Sequence, residues 1–562
     1  MEASLSYIST ETQSELSDIS FTEEDIVSAL KELNPYSATP DGDIPARILT
    51  NCKENLAAPL MLMWKKSFDE GVIPPSLKTQ YITPIYKKGS RTEAANYRPV
   101  SITSHLIKTF ERVLRKHLVS YVEENGLMSD GQHGFRKNRS CLTQLIQHVD
   151  DIFSGLNKGD EVDVIYLDFA KAFDKVDHNI LLAKLEKYGI KGKMLTWIKE
   201  FLTGRLQTVV VEGKKSSFQP VRSSVPQGTV LGPVLFILDI KDLLEILQHC
   251  KGLGFADDTK LQRAIKVLEC TMLLQEDLYR VIQWAVHNNM HLHEDKFEVL
   301  NYTLNTSNLL SNLPFTAEYR SYDTSGGHTI QPTTVVRDLG VYLSSDRSWS
   351  PQVNQLVQSA NKVAGWALSV FRDRSPRLML TLYKSMVRSR LEYCCPVWNP
   401  TKVSDVQALE NIQRNFTRKI NGCQDLNYWE RLEKLKLLSL QRRRERYSII
   451  HVWKMLNNQA PNDIHLQSYP RDRQGLKIRL PQINSKTQAS VTTDFFNSFK
   501  VKASRLWNLL PKSVNTITTL EEFKVKLGSF MDSYPDTPPV SGYTTTNRNS
   551  LLDWYSERGG RT

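Results

Sequence analysis

Two short apolar runs, far apart in the chain, end in carboxylates, and this pairing constrains the fold more than any other feature. Val162-Asp163-Val164-Ile165-Tyr166-Leu167 reads as a buried strand with Asp168 at its C-terminal end. Asp257 follows Asp168 by 89 residues, in Gly254-Phe255-Ala256-Asp257-Asp258-Thr259, which reads as the tip of an apolar hairpin. An isolated Asp-Asp pair has an ordinary explanation, because Asp favours turns. Two such places suggest another: if the strands are neighbours, three carboxylates meet at one spot. Such a cluster repels itself unless cations neutralise it. Hard oxygen ligands in this number suit Mg²⁺ shared with substrate phosphates. Two such ions about 3.5–4 Å apart clamp both oxygens of an in-line phosphoryl displacement.

The surrounding pattern mixes strands and helices. Residues 1–20 are rich in Ser, Thr and Glu and read as a frayed leader. Thr22-Glu23-Glu24-Asp25 reads as an N-cap and an acidic first turn, with Ile26, Leu30 and Leu33 at helical spacing. A Pro/Gly/Asp-rich loop spans 34–45 and a helix runs from about 48 to 70. A β-type run covers 81–86, helices dominate 100–160, and Asp177 reads as the cap of the next helix. Residues 206–222 alternate like hairpin strands; helices follow over 230–247 and 266–290. The even βαβα rhythm of a parallel sheet is lacking, so the expectation is an α+β core with an antiparallel sheet. Beyond 350 the pattern is helical, with a Pro/Arg-rich connector at 460–485 and a tail over the last 30 residues.

Charge narrows the partners. Residues 1–60 hold eleven acids and three bases, net −8, which leaves +19 for the rest; 431–490 alone carries +9. A basic body suits a polyanion. The seven cysteines are scattered without a C-x-x-C, which argues against a disulfide framework and a zinc ribbon. No signal peptide is legible and the apolar runs fall short of the roughly 18 residues of a membrane span. The expectation is an intracellular chain, nuclear or cytoplasmic, with no membrane partner.

Five further segments make the carboxylates specific. Asp168-Phe169-Ala170-Lys171-Ala172-Phe173-Asp174 resembles motif A of reverse transcriptases, Val225-Pro226-Gln227-Gly228 with Thr229–Pro233 resembles motif B, and Phe255-Ala256-Asp257-Asp258 resembles motif C. Asn96–Ser101 and Gln132–Arg136 resemble the fingers motifs, and Trp284–Leu300 resembles motif D. Val336–Val341 resembles the segment that closes the palm. They come in the family's order over 80–343, in the style of jockey-like non-LTR retrotransposons.

The resemblance implies a right-hand polymerase with fingers, antiparallel-sheet palm and helical thumb. Its expected parts are an acidic helical extension (1–79), fingers and palm (80–343), a thumb-like region (344–460) and a C-terminal region (461–562). It implies RNA-directed DNA polymerase activity of a mobile element, with RNA template, DNA primer and dNTPs as partners and two Mg²⁺ ions. Asp168, Asp257 and Asp258 would hold the metals together with the Phe169 carbonyl, and Lys296 would donate a proton to leaving pyrophosphate. Phe173 would gate against a 2′-hydroxyl, although a Phe at this spacing also suits plain core. Gln227 and Gly228 would position nucleotide and template. Lys87 or Lys88 and Arg98 would contact triphosphate, although each alone also reads as a solvated charge.

Ser224 stands where the family usually has Gly, and Asp239 and Lys241 where it has Tyr and Asn. These departures keep a second reading open, a decayed or domesticated copy that binds RNA without polymerising. An RNA-dependent RNA polymerase is a third, against which Phe173 argues. The stretch Gln441–Arg446 reads as a solvated helix face, as a surface that tracks phosphates or, less so, as a nuclear-import signal. The aromatic stretches around Trp398 and Trp507 read as core packing.

Overall fold

A computed structural model describes residues 2–8, 14–267, 269–304, 320–324, 326–484, 487, 489–534, 536 and 549–557. The architecture is a mixed α/β core with many helices. The strand Glu161–Leu167 lies at the centre of a five-stranded sheet, between Asp258–Ile265 and Glu298–Tyr302, with Lys251–Phe255 and Pro332–Thr333 at the edges. Three of its four ladders are antiparallel; Pro332–Thr333 pairs parallel with Glu298–Tyr302. The expected antiparallel sheet therefore has one parallel edge.

The unbroken apolar run of the central strand has a packing cause. Val162, Val164 and Tyr166 face one hydrophobic core, and Ile165 and Leu167 face another. Alternate side chains point to opposite faces, so a strand covered on both faces has no polar side to spare. The first core includes the helix Cys141–Lys158 and the C-terminal helices; the second includes the N-terminal helices and those of residues 178–202 and 269–287.

A second sheet is built from Tyr97–Ile102, Thr79–Tyr86 and Leu206–Val211 with two short strands at 214–215 and 219–220. Thr79–Tyr86 pairs antiparallel with Tyr97–Ile102 and parallel with Leu206–Val211. The helix Glu23–Lys31 begins at the expected Thr22 cap, with Thr22 and Asp25 forming a reciprocal capping box. Asp177 likewise caps His178–Lys187, accepting from the N–H groups of Asn179 and Ile180.

The leader departs from expectation. Ser4 is fully buried and donates to the His287 carbonyl at 2.6 Å, and the Tyr7 hydroxyl lies 2.6 Å from His287 Nδ1. Leu16 bridges to Ile190 as a short parallel strand contact. Partners hundreds of residues away order a segment whose own composition favours fraying. At the other end, Leu551 and Leu552 are buried although they fall in the expected tail. Among the described residues, no helix is long and apolar enough to cross a membrane.

Candidate active site at the carboxylate edge of the core sheet

Register decides which carboxylates meet. Leu167 pairs with Thr259, so Asp168, one residue on, comes beside Asp258, one residue back on the neighbouring strand. Phe255 pairs with Asp258 across the hairpin, which leaves Ala256 and Asp257 as its tip. Ala256 has φ +56°, a left-handed conformation that a non-glycine residue holds only when its surroundings impose it.

The imposing group is Gln132. Its Oε1 accepts from the Ala256 N–H at 3.0 Å and the Gly134 N–H at 2.8 Å, and its Nε2 donates to the Ala256 carbonyl at 3.4 Å. His133 N–H donates to the Gly254 carbonyl, and Gly254 N–H to that of Gly131. The approach is so close that a Cβ on Gly134 would lie 2.3 Å from the Ala256 nitrogen. The sequence marked Gln132–Arg136 by resemblance alone; its role is to hold the hairpin that presents Asp257.

The loop after Asp168 is braced from the other side. Ala170 N–H donates to the His291 carbonyl at 2.7 Å and His293 N–H to that of Asp168 at 2.8 Å. This pairing uses the carbonyls of Asp168 and His291 and leaves the Phe169 carbonyl out of the ladder. The brace ends in Lys296, whose Nζ lies 3.0 Å from Asp168 Oδ2, both side chains about half exposed. A pair this wet contributes at most about 1 kcal/mol to stability. Its interest is positional: a cation rests on the first carboxylate.

Like charge at this edge is felt. Partial burial raises the Asp257 carboxyl, and Asp168 adds to it, while Arg98 and Lys87 oppose the rise from the second sheet. Burial and then Asp257, Asp338 and Asp168 push Asp258 up to about 6, against the pull of Lys260. Among the described residues, no three His, Cys, Asp or Glu side chains are gathered tightly enough to hold a metal ion as they stand. The donors are nonetheless all hard oxygens whose repulsion a divalent cation would relieve, so their chemistry fits one.

Beneath the edge lies a buried polar layer. Lys260, fully buried, pairs with Asp338 and donates to Gln144 Oε1 at 2.9 Å. This ties the strand of Asp258 to the Val335–Asp338 strand.

The expected nucleotide-side residues lie next to this edge. Phe173 stacks on Phe236 with ring centroids 4.1 Å apart and meets Phe135 edge-on at 6.1 Å. It is partly buried, so it is a core ring with one face reaching the surface. Gln227 Nε2 donates to Asp174 Oδ1 at 3.3 Å, and its carbonyl accepts from Ser101 N–H at 2.8 Å. Gly228 has φ +112°, and a Cβ there would lie 2.4 Å from the Ser101 carbonyl oxygen, so only glycine fits. Glu111, unflagged by the sequence, is fully buried and accepts from the N–H groups of Val230 and Leu231, just ahead of the helix Gly232–Asp239.

Several expectations change. Lys87, Lys88 and Arg98 are exposed, and the first and last of these are near enough to act on Asp257. The Gln441–Arg446 stretch is no phosphate-tracking surface. Arg442 and Arg444 are 1% exposed; Arg442 donates to the Asn549 carbonyl, Arg443 pairs with Glu392, and Arg444 donates to Asn399. Asp239 and Lys241 are buried, near the fully buried pair Lys184–Asp242. Trp398 and Trp507 are fully buried, as core packing requires.

Comparison with known proteins gives the chain's relatives. Residues 85–342 match the family described as reverse transcriptase (RNA-dependent DNA polymerase). The chain is 27% identical over 364 residues to the probable RNA-directed DNA polymerase from transposon X-element of Drosophila melanogaster, covering 62% of this chain and 38% of that protein. It is 27% identical over 376 residues to the RNA-directed DNA polymerase from mobile element jockey of the same fly, covering 65% and 40%. The jockey protein of Drosophila funebris is 26% identical over 416 residues, covering 72% and 44%. The chain thus spans well under half the length of these relatives. Residues 85–342 therefore match a reverse transcriptase domain, and the chain as a whole is similar to RNA-directed DNA polymerases of mobile elements of the jockey kind.

Proposed function

We propose that this chain extends a DNA primer on an RNA template, the primer 3′-hydroxyl attacking the α-phosphate of a dNTP and releasing pyrophosphate. The observation that carries the reading is the register Leu167↔Thr259, which brings Asp168 beside the Asp257–Asp258 hairpin. Asp168, Asp257, Asp258 and the Phe169 carbonyl are the oxygens that would hold two Mg²⁺ ions. When bound, such ions activate the attacking hydroxyl and stabilise charge on the leaving group.

The chain's own groups do the rest. Lys296, resting on Asp168, would give a proton to pyrophosphate. Arg98 and Lys87 face the carboxylates from the second sheet and would orient the triphosphate. Phe173 presents an apolar wall where a 2′-hydroxyl would need a polar partner. Gln227 and Gly228 would line the nucleotide and template side. Catalysis of this kind rests on positioning and electrostatics and needs no covalent intermediate.

In this reading residues 1–79 form an extension, 80–343 fingers and palm, 344–460 a thumb and 461–562 a C-terminal region, and the chain works inside the cell. Primer extension on an RNA template with Mg²⁺ tests it: Asp257→Asn should abolish incorporation while the fold persists. Extension undiminished by that change would sink the assignment. One observation favours a second reading, an RNA-holding copy with little turnover: Ser224 sits at φ +104°, in glycine's conformation, beside the Gln227 loop. RNA retention with no dNTP incorporation would select it.

A further inference from the structure

The turn after Asp168 and the loop that carries Gln227 are fastened along their length. Val225 N–H donates to the Phe173 carbonyl at 2.9 Å, and Ser224 N–H to that of Val176 at 3.0 Å. The Ser223 hydroxyl donates to the Asp174 carbonyl at 3.1 Å. One side-chain pair crosses the same seam, Gln227 Nε2 to Asp174 Oδ1 at 3.3 Å. Both residues line a cleft of about 340 Å³ whose other walls include Gln80, Pro99, Gln207 and Pro226.

The chemistry of the pair fixes a direction. An ionised carboxylate can only accept, so the amide nitrogen of Gln227 must face Asp174, and its Oε1 must point elsewhere. The backbone of the same residue is pinned by Ser101, and the closeness of Gly228 to the Ser101 carbonyl prevents the loop from sliding. Residue 227 is therefore anchored at its carbonyl to the second sheet and at its side chain to the turn after the first carboxylate. A glutamine with three side-chain torsions would otherwise sample many rotamers, and freezing them in advance lowers the entropy cost of binding.

We propose that Asp174 is a positioning residue for the polymerase reaction, orienting the Gln227 amide toward the incoming nucleotide through this hydrogen bond. The inference rests on the reading of Gln227 as a nucleotide contact. Asp174 itself touches no substrate in this scheme; it acts only through Gln227.

The test uses the full chain on an RNA template with a DNA primer. Asp174→Ala should raise KM for dNTP about tenfold, the loss of one hydrogen bond to a charged group, with kcat little changed. Asp174→Asn, which keeps an acceptor, should restore KM to near the parent value. In a Gln227→Ala background, Asp174→Ala should add nothing further. Multiplying effects in the double variant, an unchanged KM in Asp174→Ala, or failure of the Asn variant to rescue while it melts like the parent would each overturn the proposal. A dideoxy-terminated primer reads dNTP capture without turnover. Capture by the parent that is unweakened in Asp174→Ala overturns this proposal alone; a parent that neither captures nor incorporates dNTP overturns the functional reading beneath it.

Discussion

The chain holds two clusters of carboxylates, and they behave oppositely. At the sheet edge, Asp168, Asp257 and Asp258 share a half-open surface; Lys296, Arg98 and Lys87 beside it are themselves exposed, and only Lys260, acting on Asp258, is buried. Elsewhere, Asp239 and Asp242 lie fully inside, with Lys184 donating to Asp242 Oδ1 at 2.8 Å and to the Asp239 carbonyl at 2.6 Å. Lys184 and Lys241 also lie over the rings of Trp284 and Tyr188. The inner cluster is answered by cations that cannot leave. The edge cluster, apart from Lys260 fixed on Asp338, is answered by cations that can, and that is the difference between a structural network and a site for a charged ligand.

The comparison can be broken most strongly at the edge. Asp257→Asn should cut primer extension on the order of a thousandfold or more while leaving the melting temperature at or above that of the parent. A matched loss of folding and activity would mean the edge is structural too. The inner cluster should show the reverse weighting. Lys184→Met leaves Asp242 buried without its cation and should cost about 3–5 kcal/mol in denaturant unfolding, with activity falling only as folded protein is lost.

A third prediction concerns pH. Burial raises the Asp239 carboxyl to about 7, with Asp242 adding to the rise and Lys184 opposing it. A carboxylate raised in the folded state binds more protons there than in the unfolded chain, so stability falls as pH rises from about 4 to about 7. Asp239→Asn should therefore flatten the fall between pH 6 and 7 in unfolding titrations, and a slope there that survives the change would contradict the assignment. The smallest effect expected is at Ser224. Its φ of +104° costs a non-glycine residue on the order of 1 kcal/mol, so Ser224→Gly should raise stability by about that amount. Chemical denaturation of the two proteins side by side checks it.

Much of the site was legible because it is local. Apolar runs ending in Asp and the Thr22 and Asp177 caps follow from a few adjacent residues. What escaped depends on distant partners. Gln132 reads as one polar residue in a turn until Ala256, 124 positions later, is laid against it. Four arginines between 442 and 446 look like a surface until Glu392, Asn399 and Asn549 surround them. Ser4 and Tyr7 look frayed until His287 supplies the acceptors.

The sequence by itself determined the chemistry on offer: which carboxylates end which strands, in which order, and over what spacing, because strand period and turn preference are properties of neighbouring residues. Only the tertiary structure decided which charges stay open to a ligand and which are consumed. That choice depends on burial and on the partner across the contact, and neither is written in the residues on either side of a charge.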